Sequence, residues 1–258
     1  MFSEYFKGLL FILVTSLFIF AMPMAVTRGG SLKGILMGFG KRFMDIVGST
    51  VGLILTLPFW LVVPILIKLD SPGPVFYSQV RVGVNRRKGQ RRVYQKSDVG
   101  ESRHRERRRE DLMGRPFKLH KFRTMVSDAE KESGPVWATK SDPRITRIGK
   151  FLRKTRIDEI PQFWNVLKGD MSLVGPRPER PSFVLDLSAK IKGYTNRLNV
   201  KPGLTGLAQV ENGYDSSLAS VVRKVRYDLE YIEKRSFWTD IRILLKTVVV
   251  VITGKGAC

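Results

Sequence analysis

Two apolar stretches dominate the first seventy residues. Residues 9–26 carry no charged side chain, and residues 46–67 are uncharged throughout. The first has about eighteen residues, near the lower limit for a helix that crosses a bilayer. Glu4 offsets Lys7 ahead of it, which makes a poor signal-peptide start, so a retained anchor is expected. The second is flanked by Arg42 and Asp45 on one side and by Lys68 and Asp70 on the other. It contains Pro58 near its middle and Pro64 further on. A proline inside a helix removes a donor and clashes with the preceding turn, which predicts a kink or break at Pro58.

Charge sets the expected topology. The connector, residues 27–42, holds Arg28, Lys33, Lys41 and Arg42 and no acid, so it belongs on the cytoplasmic side. The large basic remainder belongs there too. Were both apolar stretches to cross, these two regions would lie on opposite faces. A re-entrant hairpin over about residues 45–68, bent at Pro58, removes the conflict. An ordinary kinked second span is the alternative.

Beyond the hairpin, residues 72–83 read as a turn and a short strand, in which Val75, Tyr77, Gln79 and Arg81 alternate with Phe76, Ser78 and Val80. Residues 117–125 read as a second strand with its basic residues on one face, followed by an amphipathic helix from Val126 towards Glu132. In 143–171, Ile145, Ile148, Leu152, Ile160, Phe163, Trp164 and Leu167 recur at helical spacing. Residues 201–210 form a turn-rich segment ending in a short strand. A helix is expected from Leu218 to Arg235. An apolar helix over 237–252, with Asp240, Arg242 and Lys246 on one side, is expected to lie in the membrane interface. Residues 85–115 are polar and rich in Arg and Lys, a composition that buries no core. Adhesion to anionic headgroups, a nucleic-acid tail and a solvated loop are the readings it leaves open.

Composition narrows the chemistry. Lys and Arg number 45 against 23 Asp and Glu, a formal net charge of +22, which suits a phosphate-rich partner. Cys258, the last residue, is the single cysteine. That excludes an intrachain disulfide and a Cys-based metal cage, and a terminal Cys is no prenylation box. His104 and His120 are the only histidines, too few for a His-rich zinc site. Catalysis therefore leans on carboxylates, Arg, Lys and a hard cation. Gly149 and Lys150 lack the spacing of a Walker phosphate loop.

Asp158 and Glu159 stand out as an acidic pair amid Arg153, Lys154 and Arg156. Such cations should pull both carboxyl pKa values down and keep both ionised. Ionised carboxylates can bind Mg²⁺ or attack phosphorus. Thr155 and Asp158 also fit a Thr-x-x-Asp capping box, with Pro161 in a first helical turn. A helix N-terminus attracts phosphate, so the two readings are compatible.

The segment RKTRIDEIPQFWNVLKGDMSLVGPRPER (153–180) resembles the signature of the bacterial sugar transferases, the monotopic polyprenol-phosphate phosphoglycosyltransferases. KRFMDIVGSTVGLILTLPF (41–59), GPVFYSQVRVG (73–83), FKLHKFRTM (117–125) and RLNVKPGLTGLAQV (197–210) resemble that family's motifs in the same order. The resemblance implies an α+β membrane protein: an N-terminal membrane helix, a re-entrant helical hairpin, and a mostly helical cytoplasmic catalytic domain with short strands and interfacial amphipathic helices. Residues 1–40 would be anchor and connector, and 41–258 the phosphoglycosyltransferase domain.

The activity it implies is transfer of a sugar 1-phosphate from a UDP-sugar to undecaprenyl phosphate, at the cytoplasmic face of the bacterial inner membrane. Asp158 would be the nucleophile forming a covalent phosphosugar intermediate, and Glu159 the Mg²⁺ ligand. Arg153 would bind the lipid phosphate, Lys121 and Arg123 would neutralise the diphosphate, and Arg177, between two prolines, would hold nucleotide; for each of the last three a surface salt bridge is the equal alternative. Pro58 falls where the family breaks its hairpin. The chain departs from the family at Leu57, where many members place Ser, at His120, where an aromatic is usual, and in its long basic insertion. UDP-sugar, undecaprenyl phosphate and anionic lipids are the expected partners, without specific nucleic acid; a homo-oligomer stays open, and the sugar is not legible. A membrane-anchored nucleic-acid binder and a catalytically silent scaffold for glycan assembly are the competing readings.

Overall fold

A computed structural model describes residues 32–85, 113–129, 142–212 and 218–253. The apolar stretch 9–26, most of the insertion 85–115 and residues 130–132 of the helix expected after Val126 lie outside the described residues.

The second apolar stretch forms helices α1 (Leu32–Leu55) and α2 (Leu57–Asp70). They are bent by 58° at the break between them, and no single helix among the described residues is long and apolar enough to cross a membrane. The break falls at Thr56, two residues before the proline expected to make it. Pro58 sits in the first turn of α2, where its missing N–H goes unneeded. Thr56 supplies the hydroxyl that Leu57 lacks: its Oγ1 donates to the Gly52 carbonyl at 2.7 Å and lies 3.2 Å from that of Leu53. Pro64 lies inside α2 without ending it. The α1 helix also runs through the boundary expected at residues 40 and 41.

One face of α1 is fastened to the rest of the chain. A Cβ on Gly48 would stand 2.5 Å from Leu173 Cδ1, and one on Gly52 2.7 Å from the Phe163 ring, so a larger residue at either place would have to push that side chain aside. Asp45 accepts from the Ser172 hydroxyl at 2.8 Å and the Leu173 N–H at 2.9 Å. Arg42 donates to the carbonyls of Val166 and Leu167 at 2.8 and 2.7 Å. Lys41 reaches the Val174 carbonyl (3.0 Å), the Tyr231 hydroxyl (3.1 Å) and Asp240 (2.7 Å). The opposite face exposes Val47, Val51 and Ile54.

Strands β1 (Phe76–Val82) and β2 (Pro116–Phe122) pair antiparallel, with Tyr77 opposite Lys121 and Arg81 opposite Phe117. The basic residues of β2 do not share one face: Lys118 is exposed, while Lys121 lies on the other side with buried Phe117 and Leu119. No helix starts at Val126. Met125 bridges Ile145, the Val126 N–H donates to the Arg144 carbonyl at 2.9 Å, and residues 127–129 form a turn. The long-range pairing satisfies the backbone that a helix would have used.

The helical pattern of 143–171 divides into α3 (Arg147–Lys154), a 3₁₀ turn (Ile157–Glu159) and α4 (Gln162–Lys168). Next come β3 (Ser172–Val174), α5 (Pro181–Lys190), a second 3₁₀ turn (Tyr194–Asn199), β4 (Gly203–Thr205), α6 (Leu207–Glu211), α7 (Leu218–Lys234) and α8 (Phe237–Thr253). The strand expected at the end of 201–210 lies in its middle and runs parallel to β3, and a short helix follows it. In α8 the three charges diverge: Asp240 is buried against Lys41 and Tyr231, whereas Arg242 is exposed and Lys246 pairs with Glu211. The main core, around Val166, Met171, Val174, Tyr231 and Ile243, lies beneath the inner face of α1, and a smaller one around Val63, Phe122 and Leu152 lies under α2.

Candidate active site

Two features of the chain around residue 156 shape the site. Thr146 caps the start of α3, accepting from the Gly149 N–H at 3.0 Å. At the other end the Thr155 hydroxyl donates to the Phe151 and Leu152 carbonyls at 2.9 and 3.2 Å. Thr155 thus closes one helix and does not open the next, and the expected capping box with Asp158 does not form. Arg156 then turns left-handed, with φ 60°, and redirects the chain into the 3₁₀ turn that holds the acidic pair. Pro161 stands at the N-cap of α4, just ahead of the first turn.

Asp158 is 5 % exposed and Glu159 9 %, so neither carboxylate has bulk water to stabilise it. Lys121, from β2, donates to Glu159 Oε1 at 2.8 Å and stands 3.5 Å from Asp158 Oδ2. Arg177, after β3, reaches the same Glu159 oxygen at 2.6 Å and the second one at 3.5 Å. Arg153 is oriented by Thr124, whose hydroxyl accepts from its Nε at 2.9 Å. Three separate elements therefore bring Lys121, Arg153 and Arg177 to one pair of carboxylates. Arg123 is used differently. It is buried, and its guanidinium donates to the carbonyls of Ser71 (2.7 Å), Ile67 (3.3 Å) and Pro72 and to the Ser127 hydroxyl (3.3 Å). It caps the C-terminal end of α2 and holds the loop that leads into β1.

The cations do not lower both carboxyl pKa values alike. Burial pushes Asp158 above the ordinary carboxylate range; anionic Glu159 adds to the rise, while Lys121, Arg153 and Arg177 oppose it. Burial alone would raise Glu159 as well, but Arg177, Lys121 and Arg156 hold it well below the ordinary range. The pair is thus asymmetric: one fixed anion beside one more basic carboxylate. The Glu159 charge in turn raises the Arg177 pKa.

Behind Arg177 lies a second buried network that sequence reading missed. Arg197 donates to Asp228 through Nε at 3.0 Å and Nη2 at 2.8 Å, to the Tyr194 hydroxyl at 2.9 Å and to the Arg177 carbonyl at 2.9 Å. Glu179 pairs with Lys224 at 2.7 Å and lies 3.8 Å from Arg81 and 3.9 Å from Arg197. Its pKa falls to about 2, because Lys224, Arg197 and Arg81 overcome the rise that burial would cause. Thr124 was missed too. The signal for Arg197 was a charge next to Leu198 and Val200; Thr124 carried none.

Among the described residues no three His, Cys, Asp or Glu side chains converge as a metal cluster. Mg²⁺ needs no such cage, since one or two carboxylates plus substrate phosphates commonly hold it. Glu159 Oε1 is taken by Lys121 and Arg177, but its Oε2 has Arg177 no nearer than 3.5 Å, so that hard oxygen fits the ion.

Residues 36–92 and 94–254 match the family described as bacterial sugar transferase. The chain is 40 % identical over 229 residues to the UDP-N-acetylgalactosamine-undecaprenyl-phosphate N-acetylgalactosaminephosphotransferase of Aeromonas hydrophila, covering 89 % of this chain and 47 % of that protein. It is 36 % identical to the UDP-glucose:undecaprenyl-phosphate glucose-1-phosphate transferase of Caulobacter vibrioides, over 89 % of this chain and 76 % of that one. A putative undecaprenyl-phosphate N-acetylgalactosaminyl 1-phosphate transferase of Bacillus subtilis is 50 % identical over 61 % of this chain and 72 % of its own length. The chain spans about half the length of the Aeromonas protein and of a Klebsiella pneumoniae relative, of which it covers 45 %.

Proposed function

The chain belongs to the bacterial sugar transferase family, and from that premise we propose that it transfers a sugar 1-phosphate from a UDP-sugar to undecaprenyl phosphate, releasing UMP. The observation that carries this reading is a buried, basic Asp158 beside a Glu159 whose charge is already met by Lys121 and Arg177. Such an aspartate is a better nucleophile than an ordinary carboxylate, and the cations around it suit a diphosphate.

In the first step an Asp158 oxygen forms a bond to the β-phosphorus of the UDP-sugar. The bond from that phosphorus to the bridging oxygen breaks, and UMP leaves with the electron pair. In the second, an oxygen of undecaprenyl phosphate attacks the same phosphorus, and the Asp158 carboxylate leaves, giving undecaprenyl diphosphosugar. Lys121 and Arg177 neutralise the charge that builds up on the diphosphate oxygens. Arg153, whose Nε donates to the Thr124 hydroxyl, binds the lipid phosphate in this reading. Mg²⁺, held by Glu159, would stabilise negative charge on the leaving phosphate. Arg123 has a structural part: its bonds to the end of α2 couple the apolar helices to β1.

The bent pair α1–α2 fits a re-entrant hairpin that enters and leaves on the cytoplasmic face of the inner membrane, with exposed Trp238 and Leu245 of α8 in the interface and anionic lipids around the basic surface. The test is UMP release by purified protein with Mg²⁺, undecaprenyl phosphate and a panel of UDP-sugars. Release from one or two donors, lost in Asp158→Asn, is the expected result. No release from any donor would favour a scaffold, and equal release by the variant would sink Asp158 as the nucleophile.

A further inference from the structure

Among the described residues the sheet of β1 and β2 has two strands, yet one edge of β2 is not left open. Asn165 of α4, 1 % exposed, lies against it. Its Nδ2 donates to the Lys118 carbonyl at 2.7 Å, and its Oδ1 accepts from the His120 N–H at 3.1 Å. A carbonyl and an N–H flanking one residue, here Leu119, are what a neighbouring strand would meet on that edge. The carboxamide stands in for a peptide group of the missing strand, since among side chains only Asn and Gln carry an amide, with its N–H donor and C=O acceptor side by side.

The two bonds join the element that carries Lys121 to the helix that follows Glu159. Lys121 is the next residue after His120, and α4 begins three residues after Glu159. The main-chain carbonyl of Asn165 also accepts from the N–H groups of Gly169, Asp170 and Met171, so its backbone is fixed as well as its side chain. A lysine side chain is long and loses considerable rotamer freedom when held in one place. Its contact with the acidic pair therefore depends on how firmly the strand beneath it is placed.

We propose that Asn165 is a positioning residue: its side-chain amide sets β2 in register against α4, so that Lys121 Nζ stands between the carboxylates of Asp158 and Glu159. This rests on the reading of that pair as the catalytic centre.

A double-mutant cycle in the full chain tests it, with initial rates of UMP release in detergent as readout. Asn165→Asp keeps the acceptor for His120 and loses the donor to Lys118. Asn165→Leu removes both without adding charge. Each is made alone and with Lys121→Met. Both are expected to slow the wild-type background about tenfold and the Lys121→Met background less than about twofold, because the register no longer matters once the lysine is gone. Equal losses in the two backgrounds, or no loss in either, would overturn the proposal. A Lys121→Met enzyme as fast as the parent would instead defeat the reading of Lys121 itself, and the inference with it.

Discussion

Arg197 donates through Nη2 to the main-chain carbonyl of Arg177 at 2.9 Å. Arg177 is thereby held at both ends: its guanidinium grips Glu159, and its backbone is tied to a buried ion pair on the far side. The acidic turn and the Arg197–Asp228 pair thus form one connected charge system, reaching from β2 to α7 through the segment that follows β3.

Breaking that system should be costly. Arg197 and Asp228 each have side chains 2 % exposed, so Arg197→Met leaves Asp228 buried without its partner. The loss is expected to be about 3–5 kcal/mol, read as a lowered thermal midpoint in detergent, with slower UMP release because Arg177 loses its support. A midpoint within a degree of the parent would show that the pair contributes nothing.

Lys121 opposes the burial-driven rise in the Asp158 pKa. Removing it in Lys121→Met should raise that pKa further, so more proton must be lost before the nucleophile is free. The acid limb of kcat/KM against pH is expected to move to higher pH, while Arg153→Gln should move it less, since Arg153 lowers the Asp158 pKa less strongly. An unmoved limb would exclude Asp158 as the group titrating there.

Glu179, held at about 2, lies below its unfolded value of about 4.3. A depressed carboxyl contributes stability that is fully present above the unfolded pKa and is lost as pH falls towards the folded one. Glu179→Gln should therefore lower the thermal midpoint most at pH 7, and the gap to the parent should narrow between about pH 4.5 and pH 2. A gap constant with pH would separate Glu179 from this linkage.

Asp45, 2 % exposed, accepts from two donors that α1 alone would never satisfy. Asp45→Ala strands the Ser172 hydroxyl and the Leu173 N–H, at about 1–3 kcal/mol for each buried donor. Thermal unfolding should show the loss, and Ser172→Ala in the same chain should recover part of it by removing one of the stranded groups.

What the sequence made legible follows the range of the forces involved. The 3.6-residue pattern of α7 gave that helix nearly to the residue, because burial of one face decides it locally, whereas β1 exposes residues on both faces and is held by its pairing with β2. The misplacements at Val126 and Thr155 share a cause. Each depended on a hydrogen bond that local pattern does not show: Val126 to Arg144, and Thr155 back to Phe151 rather than on to Asp158. The bend moved from Pro58 to Thr56 because a proline in the first turn breaks nothing.

The candidate site was half legible in the same sense. Asp158, Glu159 and the adjacent Arg153 stand together in the chain, and Lys121 and Arg177 came only through resemblance. The expectation that both carboxyl pKa values fall rested on neighbours in sequence. Burial, invisible there, outweighs them at Asp158 and not at Glu159, where Arg177 adds a direct contact. Arg123 was read as one more basic residue beside Lys121; the fold turns it onto the carbonyls that end α2.

The attachment of α1 through Lys41, Arg42 and Asp45 has a consequence for how this protein can be divided. Its bent pair of apolar helices is not a detachable float, because the carbonyls of Val166, Leu167 and Val174 accept hydrogen bonds from it. A fragment starting after residue 70 would lose all three bonds, leaving Val174 with Tyr231 and Val166 with the Gly169 N–H, and would leave Leu173 and Phe163 facing empty space where Gly48 and Gly52 had been. Chimeras between relatives should accordingly exchange residues 41–52 together with 163–174, as one inherited unit, and the water-soluble half should be sought by redesigning the hairpin's outer face rather than by cutting it away.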